Sequence, residues 1–487
     1  MTKILDYSTE QKTIFNWFVM GRKPAIIEAV AGSGKTSTLI EGLNRASSPN
    51  MLYCVFGKRN QLDAEKRITN KKVQVSTYHS LGFRMILNVW RGVRANGYTE
   101  FGRVKSLAPD APAQVHFQTA RLVEFIKNTC TDVPSLVDVT KIAVERDIDA
   151  GTKNPQWTTE KLAELAIKSV NLCLEYPQDK QISFSDMVFL PIAKGWAKPT
   201  YSLIVSDESQ DLSAPQLAMI KALCLPTGRV CLVGDSHQAI YGFRGTVQDS
   251  MSKFHAELGA DAFTLSTSYR CPKLITAKAK ALVPQIRHAD NAIDGEISNI
   301  NHETMLNSIK VNDVVLSRSN APLTKSCLAL LRKNKPAYIV GKDIGKQLIT
   351  LIDNLEAKDI TEFYVKLEAW LTIKQANVTT WNANQAALAV DTVGTLKLIG
   401  ESCLTIDDIK TKINKLFLDS ENVRVPSVVL STVHKAKGLE WENVHLLSWT
   451  FAAGHRVMTP AEKQEELNIQ YVAITRSQNR LIYVSEN

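Results

Sequence analysis

The stretch that most constrains what this chain can fold into runs from Pro24 to Thr38, PAIIEAVAGSGKTST. The apolar run Ala25-Ile26-Ile27 ends in the small residues Ala29-Val30-Ala31-Gly32-Ser33-Gly34, and a helix is expected from Lys35-Thr36 onward. Strand, small-residue turn and helix start in direct succession describe a phosphate loop. Gly32 and Gly34 free the backbone to turn its N–H groups around a polyphosphate, with Ala31, Ser33 and Ser37 completing the cradle. Lys35 neutralises the outer phosphates, and the Thr36 hydroxyl is placed to hold Mg²⁺. Ala29 stands where the usual pattern has its first glycine, so a glycine-rich turn that binds nothing is the alternative.

With 487 residues the chain exceeds what one hydrophobic core organises, and two to four units are expected. Its 44% hydrophobic and 22% charged residues fit an ordinary globular protein. Lysine and arginine exceed aspartate and glutamate by 58 − 49 = 9, which favours a polyanionic partner. Eight scattered cysteines without a C-x-x-C pair suggest neither zinc nor an iron–sulfur cluster, and read as buried thiols in a reducing compartment. The first residues lack the apolar core of a signal peptide, and no apolar run reaches membrane-spanning length. A cytoplasmic location without membrane contact is therefore expected.

In chain order, Ser8 caps a helix to Gly21 whose inward face carries Ile14, Phe15, Phe18 and Val19. Gln11 in its first turn is either an ordinary polar helix residue or, beside a nucleotide, an amide able to read an adenine edge. Strands follow at Met51–Phe56 and Val73–Ser76, leading into Gly57-Lys58-Arg59 and Thr77-Tyr78-His79-Ser80. Basic and aromatic residues at such strand ends suit a nucleic-acid groove, although Phe56 alone reads as core. From Leu81 to Thr200 helical periodicity replaces the strand rhythm. Within that insertion Trp90, Arg91, Arg94, Tyr98, Phe101, Arg103 and Lys105 interleave aromatic and basic residues, either along a phosphate backbone or on a solvated face. Leu203-Ile204-Val205 then delivers Asp207 and Glu208, a carboxylate pair suited to Mg²⁺ and an attacking water. Val230–Val233 ends in Gly234-Asp235-Ser236-His237-Gln238 and Ala239-Ile240-Tyr241-Gly242-Phe243-Arg244-Gly245. Further strands at Phe263–Ser266, Asp313–Ser317, Ala337–Val340, Ser427–Ser431, Asn443–Leu447 and Leu481–Val484 signal a second α/β sheet. Residues 346 to 424 are helical again, with a helix start at Thr405.

The ordered set TEQ, AGSGKT, YHS, DESQD, GDSHQAIYGFRG, YRCP, VVLSRSNA, TVHKAKGLEW and QYVAITRS resembles the superfamily 1 DNA helicases of the UvrD, Rep and PcrA type nearly end to end. The resemblance implies an α/β fold with two RecA-like cores and ATP in the cleft between them. The first core would comprise 1–80 and 201–262 with a helical insertion at 81–200, and the second 263–345 and 425–487 with a small one at 346–424. Gln11 would read adenine, while Lys35, Thr36 and Asp207 would hold phosphates and Mg²⁺. Glu208 would be the catalytic base and Gln238 the γ-phosphate sensor. Tyr269 would stack on adenine, unless it is core, and Gly438 and Glu440 would approach the nucleotide. Arg270 and Arg476, which lack an obvious structural partner in the sequence, would be the second core's arginine fingers. Phe56, Lys58, His79, Tyr241, Phe243, Arg244, Arg318, Asn320, Thr432 and His434 match positions lining a single-strand groove.

Two departures stand out. The second insertion is small, and the acidic-aromatic segment Glu465–Ala473 lacks the arginines of the usual EERRLLYVA. The chain stops soon after Arg476, which leaves no room for a fused nuclease. The expected function is an ATP-driven 3′-to-5′ translocase and helicase acting on single-stranded DNA and duplex junctions in repair, recombination or replication. The alternative is a nucleic-acid-stimulated ATPase serving a larger complex, for example beside a separate nuclease in phage defence.

Overall fold

A computed structural model describes residues 7–146, 148–150, 156–241, 250–376, 383–418, 425–451 and 458–487. The chain divides into two units, Met1–Ser266 and Thr267–Asn487. Among the described residues the first unit holds a six-stranded sheet in the order Val73–Thr77, Met51–Val55, Tyr201–Ser206, Cys224–Gly234, Ala25–Ala29, Asp261–Leu265. All its neighbours run parallel. Successive residues of a strand point to opposite faces. Ile27, Tyr53, Val205 and Val233 accordingly pack with Ile14, Phe18 and Leu39 on one side, and Ile26, Leu52, Ile204 and Leu232 with Leu81, Met219 and Phe254 on the other. Burial on both faces is why these strands read as unbroken apolar runs.

The strand at Phe263 belongs to this first sheet, not to the second: Asp261–Leu265 pairs with Ala25–Ala29 residue for residue. The Leu265 carbonyl accepts from Val30 N–H at 2.9 Å, and Ser266 gives its N–H (2.9 Å) and hydroxyl (2.5 Å) to the carboxylate of Glu10. The helix Thr9–Met20 is closed at its start by a reciprocal Ser8–Gln11 capping box. Its inner face contains Trp17 where Val19 was expected, and Val19 is exposed. Trp17 is drawn inward because its indole N–H donates to the Lys23 carbonyl (3.1 Å) and the Arg229 guanidinium covers its ring. Arg229 also donates to the Trp17 and Phe18 carbonyls at 2.7 and 2.6 Å, satisfying helix-end acceptors.

Between the strands Val73–Thr77 and Tyr201–Ser206 the chain builds helices Tyr78–Val89, Thr99–Leu107, Ala113–Thr129, Leu136–Glu145, Thr159–Cys173 and Asp186–Ala193 around an apolar cluster of their own. A buried ionic group lies among them. Lys127 Nζ bonds Glu100 (2.5 Å) and Asp186 (2.6 Å), and Arg103 bonds Asp186 (2.6 Å). Burial opposes ionisation of Asp186, yet Lys127 and Arg103 hold its carboxyl below the usual range. The interleaved aromatic and basic residues divide: Trp90 packs edge-on against Tyr176 and Trp196, Phe101 against His116, and Arg103 joins the ionic group. Arg91, Arg94, Tyr98 and Lys105 are exposed.

The second unit holds a seven-stranded parallel sheet among the described residues, in the order Glu296–Asn301, Ser477–Ser485, Trp441–Leu447, Val314–Ser317, Val428–Thr432, Ala337–Val340, Phe417–Leu418. Its two outer strands escaped the sequence reading, because EISNIN is polar and Phe417–Leu418 is only two residues long. Helices Lys342–Asn354, Ile360–Ala376, Ala383–Gly400 and Ile406–Leu416 share one continuous core with this sheet, Phe363, Leu396 and Ile413 packing in the same cluster as Val315, Ile339 and Leu430. Asp391 accepts from the N–H groups of Asn320 (2.8 Å) and Ala321 (2.7 Å), capping the helix Asn320–Arg332. The α/β class with two parallel sheets flanked by helices is thus the observed one. Among the described residues no helix is long and apolar enough to cross a membrane.

Removing one partner from a buried ionic group leaves the others uncompensated. Lys127→Met is expected to destabilise the first unit by about 3–5 kcal/mol, read as an earlier urea transition in circular dichroism.

Candidate functional site

In open parallel sheets ligands bind beyond the carboxyl ends of the strands. Every polar cluster noted in the first unit leaves the sheet at that edge: the phosphate loop after Ala29, Phe56 after Val55, Tyr78 after Thr77, Asp207 after Ser206 and Asp235 after Gly234. Gly32 and Gly34 adopt left-handed backbone, with φ of 71° and 75°. The helix Lys35–Arg45 starts directly after Gly34, so its first N–H groups lack intrahelical acceptors. Ala31 and Ser33 are buried, and the exposed Ser37 hydroxyl accepts from Arg67 at 2.8 Å. Gln11 borders the loop: a Cβ on Gly34 would lie 3.8 Å from its Nε2, which donates to Thr38 Oγ1 at 3.0 Å.

The acidic pair meets the loop directly. Lys35 Nζ lies 3.3 Å from the Glu208 carboxylate, and the Thr36 hydroxyl donates to Asp207 Oδ2 at 3.1 Å. Burial works against the Lys35 ammonium, but Glu208, Asp207 and Asp235 hold its pKa above the ordinary value. Burial, and then the neighbouring Glu208, raise the Asp207 carboxyl, against the pull of Lys35. Glu208 sits in left-handed backbone with φ of 50°. For a residue with a Cβ that costs about 1–2 kcal/mol, and such strain gathers at functional sites.

Several residues that hold the pair in place were not singled out in the sequence. Tyr53 lies opposite Val205 in register, on the same face as Asp207 two residues on, and its hydroxyl donates to Asp207 Oδ2 at 3.0 Å. A tyrosine inside an apolar parallel strand was the available signal. Gln210 bridges two strand ends, its Nε2 donating to Glu208 Oε2 (2.6 Å) and its Oε1 accepting from Asp235 N–H (3.1 Å). A Cβ on Gly234 would approach that Oε1 to 2.3 Å, so the bridge requires glycine there. Gln238 donates to Asp235 Oδ2 at 2.6 Å, which joins it to the same chain of contacts. Ser236 gives its N–H (2.7 Å) and hydroxyl (3.0 Å) to Glu28 at the end of the loop's own strand.

The second unit brings a different set together. Tyr269 is 51% exposed, so it is not core. Arg270 and Arg476 do have structural partners, contrary to the sequence reading. Arg270 pairs with Glu440 and donates to the Thr475 carbonyl at 3.4 Å. Arg476 is 1% exposed and donates to the carbonyls of Val472 (3.0 Å) and Leu439 (3.2 Å) and to the Thr475 hydroxyl (3.3 Å). Both arginines therefore bind the segment around Leu439 and Glu440, where Gly438 turns with φ of 84°. Gln478 completes the Glu440 contacts at 2.9 Å.

Of the residues matched to a nucleic-acid groove, His79 and Lys58 are exposed, while Phe56 and Tyr241 are half-buried. Tyr78, beside His79, is buried and packs on Phe56, because its ring and hydroxyl both have partners inside the core. Phe243 and Arg244 lie outside the described residues. Arg318 makes a two-pronged pair with Glu466 at 2.8–3.2 Å, Asn320 starts the helix that Asp391 caps, and Thr432 caps the turn bearing half-buried His434.

The oxygen donors of Thr36 and Asp207, in contact beside a left-handed glycine turn, fit a hard divalent cation held against a polyphosphate. The UvrD/REP helicase N-terminal domain matches residues 8–259, and the UvrD-like helicase C-terminal domain residues 400–487. The F-box DNA helicase protein 1 of Schizosaccharomyces pombe is 26% identical over 514 residues, covering 98% of this chain and 57% of that one. The F-box DNA helicase 1 of Gallus gallus is 23% identical, covering 97% and 48%. A probable DNA helicase II homolog of Mycoplasma pneumoniae is 22% identical, covering 96% and 82%. The chain thus spans about half the length of the two F-box relatives.

Lys35 is the cation that the loop offers to a polyphosphate. Lys35→Ala is expected to weaken binding of magnesium ATP by about tenfold or more, measured by titration calorimetry.

Proposed function

This chain belongs to the UvrD/REP helicase family, and on that premise we propose that it is an ATP-dependent DNA helicase moving 3′ to 5′ along a single strand. The observation that carries the reading is the contact of Lys35 with Glu208 and of Thr36 with Asp207, a phosphate loop and a carboxylate pair at one sheet edge. Such a pair serves hydrolysis, and phosphate binding alone does not require it.

Mg²⁺, held by Thr36 and Asp207 when bound, supplies charge neutralisation to the phosphate oxygens. Lys35 exchanges its contact with Glu208 for the β/γ-phosphates, and Glu208 is then free to take a proton from the attacking water. Gln210 keeps Glu208 oriented through that exchange, because its own amide is fixed at the far end by Asp235. Gln238, anchored on Asp235, senses the γ-phosphate. Gln11 reads adenine with the hydrogen-bonding capacity left over from its cap and Thr38 contacts, and exposed Tyr269 stacks on the base. By the family resemblance, Arg270 and Arg476 are assigned positive charge for hydrolysis. Glu440 holds Arg270 until then, and Arg476 releases the Leu439 carbonyl to act.

The family resemblance assigns single-strand contacts to His79, Lys58 and Tyr241 in the first unit and to Arg318, Asn320, Thr432 and His434 in the second, each taken by itself. Phosphate oxygens displace Glu466 from Arg318 when the strand binds. Stacking on aromatic side chains is sequence-tolerant, so movement has no sequence preference. The direction rests on the same groove positions, which match the 3′-to-5′ members of the family.

ATP turnover by the purified chain is expected to rise strongly with single-stranded DNA and to vanish in Glu208→Gln; equal turnover with and without DNA would count against the proposal. In strand displacement, duplexes with a 3′ overhang are expected to be unwound. Displacement from 5′ overhangs alone would reverse the assigned direction, and ATP turnover without displacement would favour a DNA-stimulated ATPase working within a larger complex.

A further inference from the structure

The helix Tyr78–Val89 begins with two residues of opposite environment: Tyr78 is buried, and His79 is exposed. The Tyr78 hydroxyl lies 2.7 Å from Ser206 Oγ, on the residue immediately before Asp207. Ser209 Oγ contacts Ser206 Oγ at 2.8 Å and the Ser206 carbonyl at 2.9 Å, and accepts from Val233 N–H at 3.3 Å. Three buried hydroxyls thus close the turn Ser206–Ser209, which contains both carboxylates and holds Glu208 in its left-handed conformation. The next residue, Gln210, grips the Glu208 side chain.

Packing alone does not account for the tyrosine oxygen. A phenylalanine would fill the same place without bringing a polar atom into the core, where a hydroxyl must find a partner to offset lost hydration. Nor does the helix carrying it have room to slide: a Cβ on Gly82 would lie 1.7 Å from the Met187 carbonyl oxygen, so the helix sits directly on the backbone of Asp186–Ala193. His79 is one residue from Tyr78 in that first turn, and Tyr78 contacts the turn bearing Glu208.

We propose that Tyr78 is a positioning residue that couples single-stranded DNA at the first turn of its helix to the setting of Glu208, through the hydroxyls of Ser206 and Ser209. The proposal rests on the functional reading above and deepens it, because it names the contact by which DNA accelerates hydrolysis. A line of hydrogen bonds is not itself proof of coupling, so the test measures coupling directly.

Tyr78→Phe removes one oxygen and keeps the ring, which packs against Phe56 at 5.5 Å between centroids. With the full chain, ATP and an oligothymidine strand as probe, kcat in the presence of DNA is expected to fall about tenfold. The DNA-free kcat and the KM for ATP are expected to stay within about twofold of the parent protein. Ser206→Ala is expected to lower the same ratio, and Tyr78→Phe combined with it to be no worse than the more severe single change, since both act on one contact. An unchanged ratio of stimulated to basal turnover in Tyr78→Phe overturns the coupling role. So does a proportional loss of both, which a purely structural role produces. A parent protein whose turnover ignores DNA overturns the helicase reading itself, an outcome distinct from these two.

Discussion

Two adjacent carboxylates at the end of a buried strand repel each other and lose hydration together, and the first unit is arranged around making that tolerable. Asp207 receives the hydroxyls of Tyr53 and Thr36, and Glu208 receives the ammonium of Lys35 and the amide of Gln210. The donors come from three parts of the sequence, Lys35 and Thr36 being neighbours, and the order of the parallel strands brings them to one edge. A charge pair that must be compensated from three segments leaves few acceptable arrangements of those strands. The side chains that make the carboxylate pair tolerable are thus the ones that form the candidate site.

The two helical insertions differ in kind. The first has its own apolar cluster and a buried ionic group, and joins the sheet it interrupts through Leu81 and Val188. The second shares one cluster with the sheet it interrupts, and its Asp391 caps a helix of that sheet's layer. The insertion at 346–424 is therefore a structural wall of the second unit. Its helices add to a core that the sheet and the helix Asn320–Arg332 already begin, so they need not build one of their own.

Much of this was legible from residue order alone. Inner strands buried on both faces announce themselves as apolar runs, and the phosphate loop and carboxylate pair as motifs. The polar edge strand Glu296–Asn301 was not legible, because an edge needs no apolar alternation once it pairs on one side only. The inward turn of Trp17 was missed because it depends on Arg229, some two hundred residues away. Gln210 and Tyr53 were overlooked for a related reason: each is ordinary in its own segment and acquires a role only through a partner on a neighbouring strand. Arg270 looked unpartnered because Glu440 is far from it in sequence, and Arg476 because the backbone carbonyls that accept from it carry no mark there.

The clamp of Glu10 on Ser266 gives the last residue of the first unit a fixed address. Ser266 follows directly on Leu265, whose carbonyl holds the first residue of the phosphate loop's turn, and Glu10 is the immediate neighbour of Gln11. The polypeptide that continues to Tyr269 and Arg270 thus starts from a residue fixed at the carboxyl edge of the first sheet. The last residue of the first unit is therefore pinned by the helix whose capping box sets Gln11 in place.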